Sequence, residues 1–165
     1  MNSLNIFRYD SPAGPLEYAF CGEELVMLDW VVSKKHLKNI ARVKDFITEP
    51  RPESREKLIT FLDNYFAGNF ITNFVPLRII GSDFEILVWE RLCKIPVGSK
   101  ITYGQLADSI GRHSAVRAVS GAVGRNPISI IIPCHRVVAA GNNSGGYAGG
   151  LPAKKMLLEL EGQTF

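Results

Sequence analysis

A thiol and an imidazole stand side by side at Cys134 and His135, inside the run Ile130-Ile131-Ile132-Pro133-Cys134-His135-Arg136-Val137-Val138. A cysteine of ordinary pKa is only a few per cent thiolate near neutral pH, so one that attacks carbon needs a base, and His135 is the nearest. The β-branched neighbours predict an extended, buried segment, with Pro133 stiffening the approach to the thiol. On such a segment adjacent side chains point to opposite faces, so His135 would reach Cys134 through a water or a backbone bend. The same dipeptide also reads as a small buried cysteine beside a histidine that satisfies a core hydrogen bond.

A base of this kind is usually oriented by a carboxylate, and the candidate is Glu161. The pattern from Pro152 to Glu161 predicts a helix with Ala153, Met156, Leu157 and Leu160 on its apolar face and Glu161 on the flank. An acid at a helix C-terminus opposes the dipole by some tenths of a kcal/mol, which a buried partner would outweigh. The alternative is a solvated terminal glutamate.

Two short helices precede the thiol. Thr102-Tyr103-Gly104-Gln105 is a capping box opening a helix with Leu106, Ala107 and Ile110 inward and Gly111 as its stop. Ser114 then caps a second helix that runs to about Arg125 and must end before Pro127. This is a helix-turn-helix arrangement, which also occurs as ordinary helix packing. At 100° per residue, Val116, Val119 and Val123 share one side of the second helix. The opposite side carries Ala118, Gly121 and Arg125, flanked by Arg117 and Ala122, and is at once small and basic. Such a face can approach a phosphate chain closely.

Upstream, Leu4 to Tyr9, Leu16 to Phe20 and Leu25 to Val32 are strand-like runs divided by turn formers, most simply an antiparallel meander. The basic stretch Lys34 to Lys44 reads as a short helix or a loop with a solvated face. Pro52 to Ala67 predicts a helix packed across the meander through Leu58, Phe61, Leu62, Tyr65 and Phe66. The piece from Asn69 to Gly81 is a connector, which places a boundary near residue 80 and divides the chain into regions 1–80 and 81–165. Ser82-Asp83-Phe84-Glu85 caps the next helix, with Phe84, Leu87, Val88 and Leu92 inward.

With 165 residues and 46% hydrophobic content the chain can bury a proper core, and a net charge of +3 demands no polyanionic partner by itself. Between Ile101 and Gly150, however, Arg112, Arg117, Arg125 and Arg136 face the single acid Asp108. Cys21, Cys93 and Cys134 are too widely spaced for a disulfide framework or a CxxC zinc site, and a metal joining Cys21 to His36 from different elements is the lesser alternative, since two unclustered ligands make a poor structural site. No apolar run is long enough for a membrane helix, and Met1 to Asn5 lacks the features of a signal peptide. The expectation is a cytoplasmic protein, or a nuclear one in a eukaryote.

Taken in order, Tyr103, Arg117, Asn126-Pro127, Ile132-Pro133-Cys134-His135-Arg136-Val137 and Tyr147-Ala148-Gly149-Gly150-Leu151 closely resemble the O6-alkylguanine-DNA alkyltransferases over roughly Phe84 to Gly162. The resemblance implies an α/β N-terminal domain, ribonuclease-H-like with an antiparallel sheet plus helix, and a mainly α C-terminal domain holding the helix-turn-helix. It implies a monomer that needs no cofactor, and it assigns no residue to a metal. The partner is double-stranded DNA, docked at its minor groove, with the damaged base extruded. The O6-alkyl group of guanine, and that of O4-alkylthymine, passes irreversibly to Cys134.

By the same resemblance His135 acts through a water and is held by Glu161, and Asn126 links the recognition helix to the thiol segment. Arg117 fills the gap left by the extruded base, beside Ala118, Gly121 and Arg125, while Tyr103 turns the phosphate and contacts the base. Val137, Tyr147 and Ala148 match the guanine pocket, and Lys154 matches a lysine that polarises the site. Three positions depart from the family pattern. Ala148 stands for a serine that can donate to O6, Ser120 for a glycine and Ser129 for a pocket proline. The competing functions are a non-catalytic module that binds alkylated DNA and a Cys-His hydrolase.

Overall fold

The computed structural model describes residues 4–73, 75–141 and 143–164, so the reading of the chain start lies outside them for Met1, Asn2 and Ser3. The three apolar runs form β1 (Phe7–Ser11), β2 (Gly14–Cys21) and β3 (Glu24–Trp30), an antiparallel meander in that order. Strand alternation sorts the side chains onto two faces. Leu16, Tyr18 and Phe20 pair with Trp30, Leu28 and Leu25 and face the main core, whereas Ala19 and Met27 face a smaller one.

Helix α1 (His36–Val43) covers the smaller core, so the basic stretch is a helix with one buried side, His36, Asn39 and Val43, rather than a merely solvated run. The reason is Asp29, wholly buried on β3, which accepts from Asn39 at 3.0 Å and pairs with His36 Nδ1 at 2.7 Å. Glu17 takes the other ring nitrogen. Burial disfavours charge on His36, but the bonds to Asp29 and Glu17 outweigh it and its pKa is raised.

Helix α2 (Pro52–Phe66) begins on a proline, where a missing N–H costs nothing, and buries Leu58, Leu62 and Tyr65 against the meander. The connector then lends backbone to the free edge of β3. Leu25 N donates to the carbonyl of Pro76 at 2.8 Å, and Arg78 N to that of Leu25 at 2.9 Å.

Helix α3 (Asp83–Leu92) opens on the expected Ser82–Glu85 capping box. Its buried residues are Glu85, Val88, Trp89 and Leu92, and Leu87 is turned outward because Trp89 takes the inner position. Trp89 Nε1 donates to the Ala122 carbonyl at 2.9 Å and so binds α3 to α5 (Val116–Gly124). The N-cap of α5 is Ala115, without a side-chain bond, and not Ser114.

Helix α4 (Tyr103–Ser109) is capped by Thr102 with Gln105. It follows directly on β4 (Ile101–Thr102), which pairs in parallel with β5 (Val137–Val138). Helix α6 (Leu151–Leu160) buries Ala153, Lys154, Leu157 and Leu158, so the inward stripe is displaced from the predicted one and Met156 is exposed. Strands β2 and β3 and helices α2 to α6 all contribute to the one main core. No described helix is long and apolar enough to cross a membrane. Among the described residues no cluster of three or more metal-ligating side chains occurs.

Candidate active site

The run from Ile130 to Val138 is buried apart from the half-buried Ile131 and Val138, but only Val137–Val138 is extended; the residues before it make turns and not the extended segment that the β-branched residues predict. Tertiary contacts override strand propensity here. Ile130 sits at φ +72°, a left-handed conformation that β-branched residues rarely adopt. Several bonds impose it. The Asn126 carboxamide donates to the Ile132 carbonyl at 2.7 Å and accepts from Ile128 N at 2.9 Å. Ser129 N donates to the Leu28 carbonyl at 2.7 Å, and Leu28 N to that of Pro127 at 2.9 Å, so the loop is fastened to the free edge of β3.

Cys134, His135 and Arg136 form a single 3-10 turn. The thiol is 5% exposed and lines an open cleft of about 660 Å³. Burial raises its pKa to about 11, against the Asn126 side chain and the Lys154 ammonium, which lower it. Resting Cys134 is therefore a thiol, and an attack on carbon requires a base.

His135 is wholly buried behind it. Its Nε2 pairs with Glu161 Oε2 at 2.7 Å, while Nδ1 has no protein partner among the described residues. Burial lowers the pKa of His135 despite the carboxylate, so the ring is neutral at physiological pH and can accept a proton. Glu161 is no solvated terminus. It accepts from Arg136 Nε at 2.7 Å, Arg136 Nη2 at 3.0 Å and Tyr65 Oη at 2.6 Å besides His135. Burial disfavours its charge, yet these donors hold its pKa at about 2.

Tyr103, Asn126, Tyr147 and Ala148 line the same cleft as Cys134. Pairing of β4 with β5 brings Tyr103 there, since β5 follows the 3-10 turn directly. Tyr147 is set by Trp30, whose Nε1 donates to its hydroxyl at 3.0 Å, and its ring meets that of His135 edge-on. Trp30 also lies over Gly149, where a Cβ would stand 2.7 Å from the indole.

Val137 and Lys154 sit behind the wall. Lys154 is completely buried, and its ammonium donates to the carbonyls of Val137 at 2.7 Å, Ser144 at 2.6 Å and Gly146 at 3.1 Å. All three donors are used, so the lysine braces the cleft loop against β5 and acts on the thiol as a buried charge. Burial lowers its pKa to about 8.

On α5, Arg117 and Ala118 are exposed and Gly121 is partly so. Ala122 is buried in the core, and Arg125 turns aside to pair with Glu85 at 2.7 Å. Sequence reasoning missed Tyr65, Arg136 and Trp30 as supports, and Ser33, Lys34 and Lys35 as cleft lining. Arg136 had a signal, since it follows His135 and so meets the same carboxylate. Tyr65 is 96 residues from Glu161, and nothing local links them.

Residues 83–163 match the family described as 6-O-methylguanine DNA methyltransferase, DNA binding domain, and residues 8–79 its ribonuclease-like domain. The chain is 41% identical over 152 residues to a methylated-DNA–protein-cysteine methyltransferase of Mycobacterium bovis, covering 92% of this chain and 88% of the relative. It is likewise 41% identical to one of Methanosarcina acetivorans, over 93% and 96% of the two chains. Among solved structures it is similar to Mycobacterium tuberculosis OGT in complex with DNA, with a TM-score of 0.81 and 40% identity over 93% and 90% of the chains.

Proposed function

The chain belongs to the 6-O-methylguanine DNA methyltransferase family, and from that premise we propose that Cys134 is its alkyl acceptor, with His135 as base and Glu161 as the group that orients it. The protein repairs DNA by alkyl transfer, as a methylated-DNA–protein-cysteine methyltransferase. In our reading the substrate is duplex DNA carrying O6-alkylguanine, and O4-alkylthymine also. Helices α4 and α5 act as a helix-turn-helix that docks in the minor groove, and Arg117 occupies the gap left by the extruded base.

The proton of Cys134 passes through one water to His135 Nδ1, and the imidazolium so formed is stabilised by Glu161. Sulfur attacks the alkyl carbon, the S–C bond forms and the C–O6 bond breaks. The electron pair returns to the purine, which takes a proton on its ring and becomes guanine. Tyr103 and Ala148 line the cleft that would receive the base, and in this reading the Tyr103 hydroxyl and the Ala148 backbone N–H donate to the departing purine, since Ala148 has no hydroxyl for O6. The thioether is not reversed, so each monomer acts once and consumes no cofactor.

The observation that carries this reading is the buried array Tyr65 and Arg136 to Glu161 to His135, ending in an imidazole nitrogen that has no partner among the described residues, next in sequence to a cleft-lining thiol. Incubation with a methyl-labelled O6-methylguanine duplex tests it. Label should accumulate on protein to a plateau of one methyl per chain. Continued turnover, or tight lesion binding without any label, would favour a hydrolase or a non-catalytic binding module instead.

A further inference from the structure

Arg125 has surroundings that its place in the sequence does not foretell. Its Nε donates to Glu85 Oε2 at 2.7 Å, and its guanidinium lies against the backbone of Gly121, where a Cβ would stand 3.1 Å from Nη1. The side chain remains 41% exposed, and among the described residues its two Nη groups make no hydrogen bond. Glu85 is buried and fully engaged. Its Oε1 accepts from Ser82 N at 3.0 Å, and Arg42 of α1 donates to both its oxygens at 3.2 to 3.3 Å.

A guanidinium held by its Nε edge presents its Nη edge as a fixed two-donor fork, which matches two phosphate oxygens. The rotamer freedom that a free arginine would lose on gripping a phosphate has already been given up. We propose that Arg125 grips a DNA phosphate, that Glu85 is its positioning residue, and that Gly121 supplies the space in which the guanidinium lies. The proposal rests on the reading of α5 as the DNA-facing helix. It gives Gly121 a use other than close approach of the backbone to DNA. Because Asn126 follows Arg125 and holds the thiol loop, a phosphate gripped there is placed in register with Cys134.

The test is the salt dependence of binding to unmodified duplex by the full-length protein and by R125A, E85Q, G121A and E85Q/R125A. The log–log slope of R125A should be shallower than the parent's by about 0.9, the share of one phosphate contact. E85Q should bind several-fold more weakly with a similarly reduced slope, and adding R125A to it should change nothing more. Glutamine keeps an acceptor for the Ser82 cap, so the fold should survive. G121A, which favours the helix, should move binding in the same direction without lowering the thermal midpoint.

A parental slope in R125A, binding by E85Q as tight as the parent's, or additive losses would overturn the proposal. If E85Q fails to fold, G121A decides, and a parental slope there overturns it too. Failure of the underlying reading is distinct, since the parent itself would then bind duplex without salt dependence.

Discussion

His135 stands between a thiol that burial keeps protonated and a carboxylate that stays ionised almost to the limit of acid. A neutral imidazole in that place lets Cys134 react near pH 7 although its own pKa is about 11. Transfer by the parent should therefore rise to a plateau above the lowered pKa of His135. In H135Q the rate at pH 7 should fall by about 10²-fold or more, the usual worth of a positioned base. It should then climb roughly tenfold per pH unit toward the thiol pKa, because only free thiolate reacts. Rates of methyl transfer measured from pH 6 to pH 10 check this, and parallel profiles for the two proteins would remove His135 from the proton path. The Cys-His pair was legible in the sequence as a chemical possibility. That Nδ1 is left without a partner among the described residues was not, since it depends on which nitrogen Glu161 takes.

The elements that hold the site fall into two kinds. Caps are local, and Ser82 with Glu85 and Thr102 with Gln105 were readable because donor and acceptor lie within one turn. The thiol loop is not local. Its run of isoleucines signals a strand, yet Ile130 takes a left-handed backbone because Asn126, Leu28 and Ile132 together fix the turns around it. The inward stripe of α6 was misplaced for a related reason, as Lys154 is drawn inside by three carbonyls. N126A leaves the Ile128 N–H unpaired inside the protein, at about 1–3 kcal/mol, while the Ile132 carbonyl keeps its bond from Cys134 N at 2.8 Å. Urea unfolding should show a loss of roughly 1–3 kcal/mol by that accounting, with a slower transfer step in the fraction that stays folded. A loss under about 1 kcal/mol would mean that the loop is held by other contacts.

Across the whole molecule, the N-terminal sheet and helix α2 are part of the site's support and not an appendage. Leu28 anchors the loop, Trp30 sets Tyr147, and Tyr65 completes the partners of Glu161. The order of strands and helices could be read from periodicity, but these ties join residues up to 117 apart and appear only on folding. With one core shared by sheet and helices, the chain should unfold in a single transition. Glu161 adds a pH dependence. Its pKa is lowered from 4.5 to about 2, so its stabilisation is complete above about pH 4.5 and is lost as pH falls toward 2. The contribution is on the order of 3 kcal/mol. E161Q should be less stable than the parent at pH 7 and should lose most of the difference below pH 3, measured by thermal unfolding across pH. An acid limb unchanged in E161Q would place that linkage elsewhere.

The account stands on the identity of the atom that receives the alkyl group. Protein is incubated with duplex DNA containing O6-methylguanine and digested, and the peptides bearing Cys21, Cys93 and Cys134 are compared by mass spectrometry. The prediction is a single methyl group, replacing one hydrogen, on the Cys134 peptide alone, together with unmodified guanine in the recovered duplex. An unmodified Cys134 peptide from folded protein, or a methyl group on Cys93 or Cys21 in its place, would contradict it.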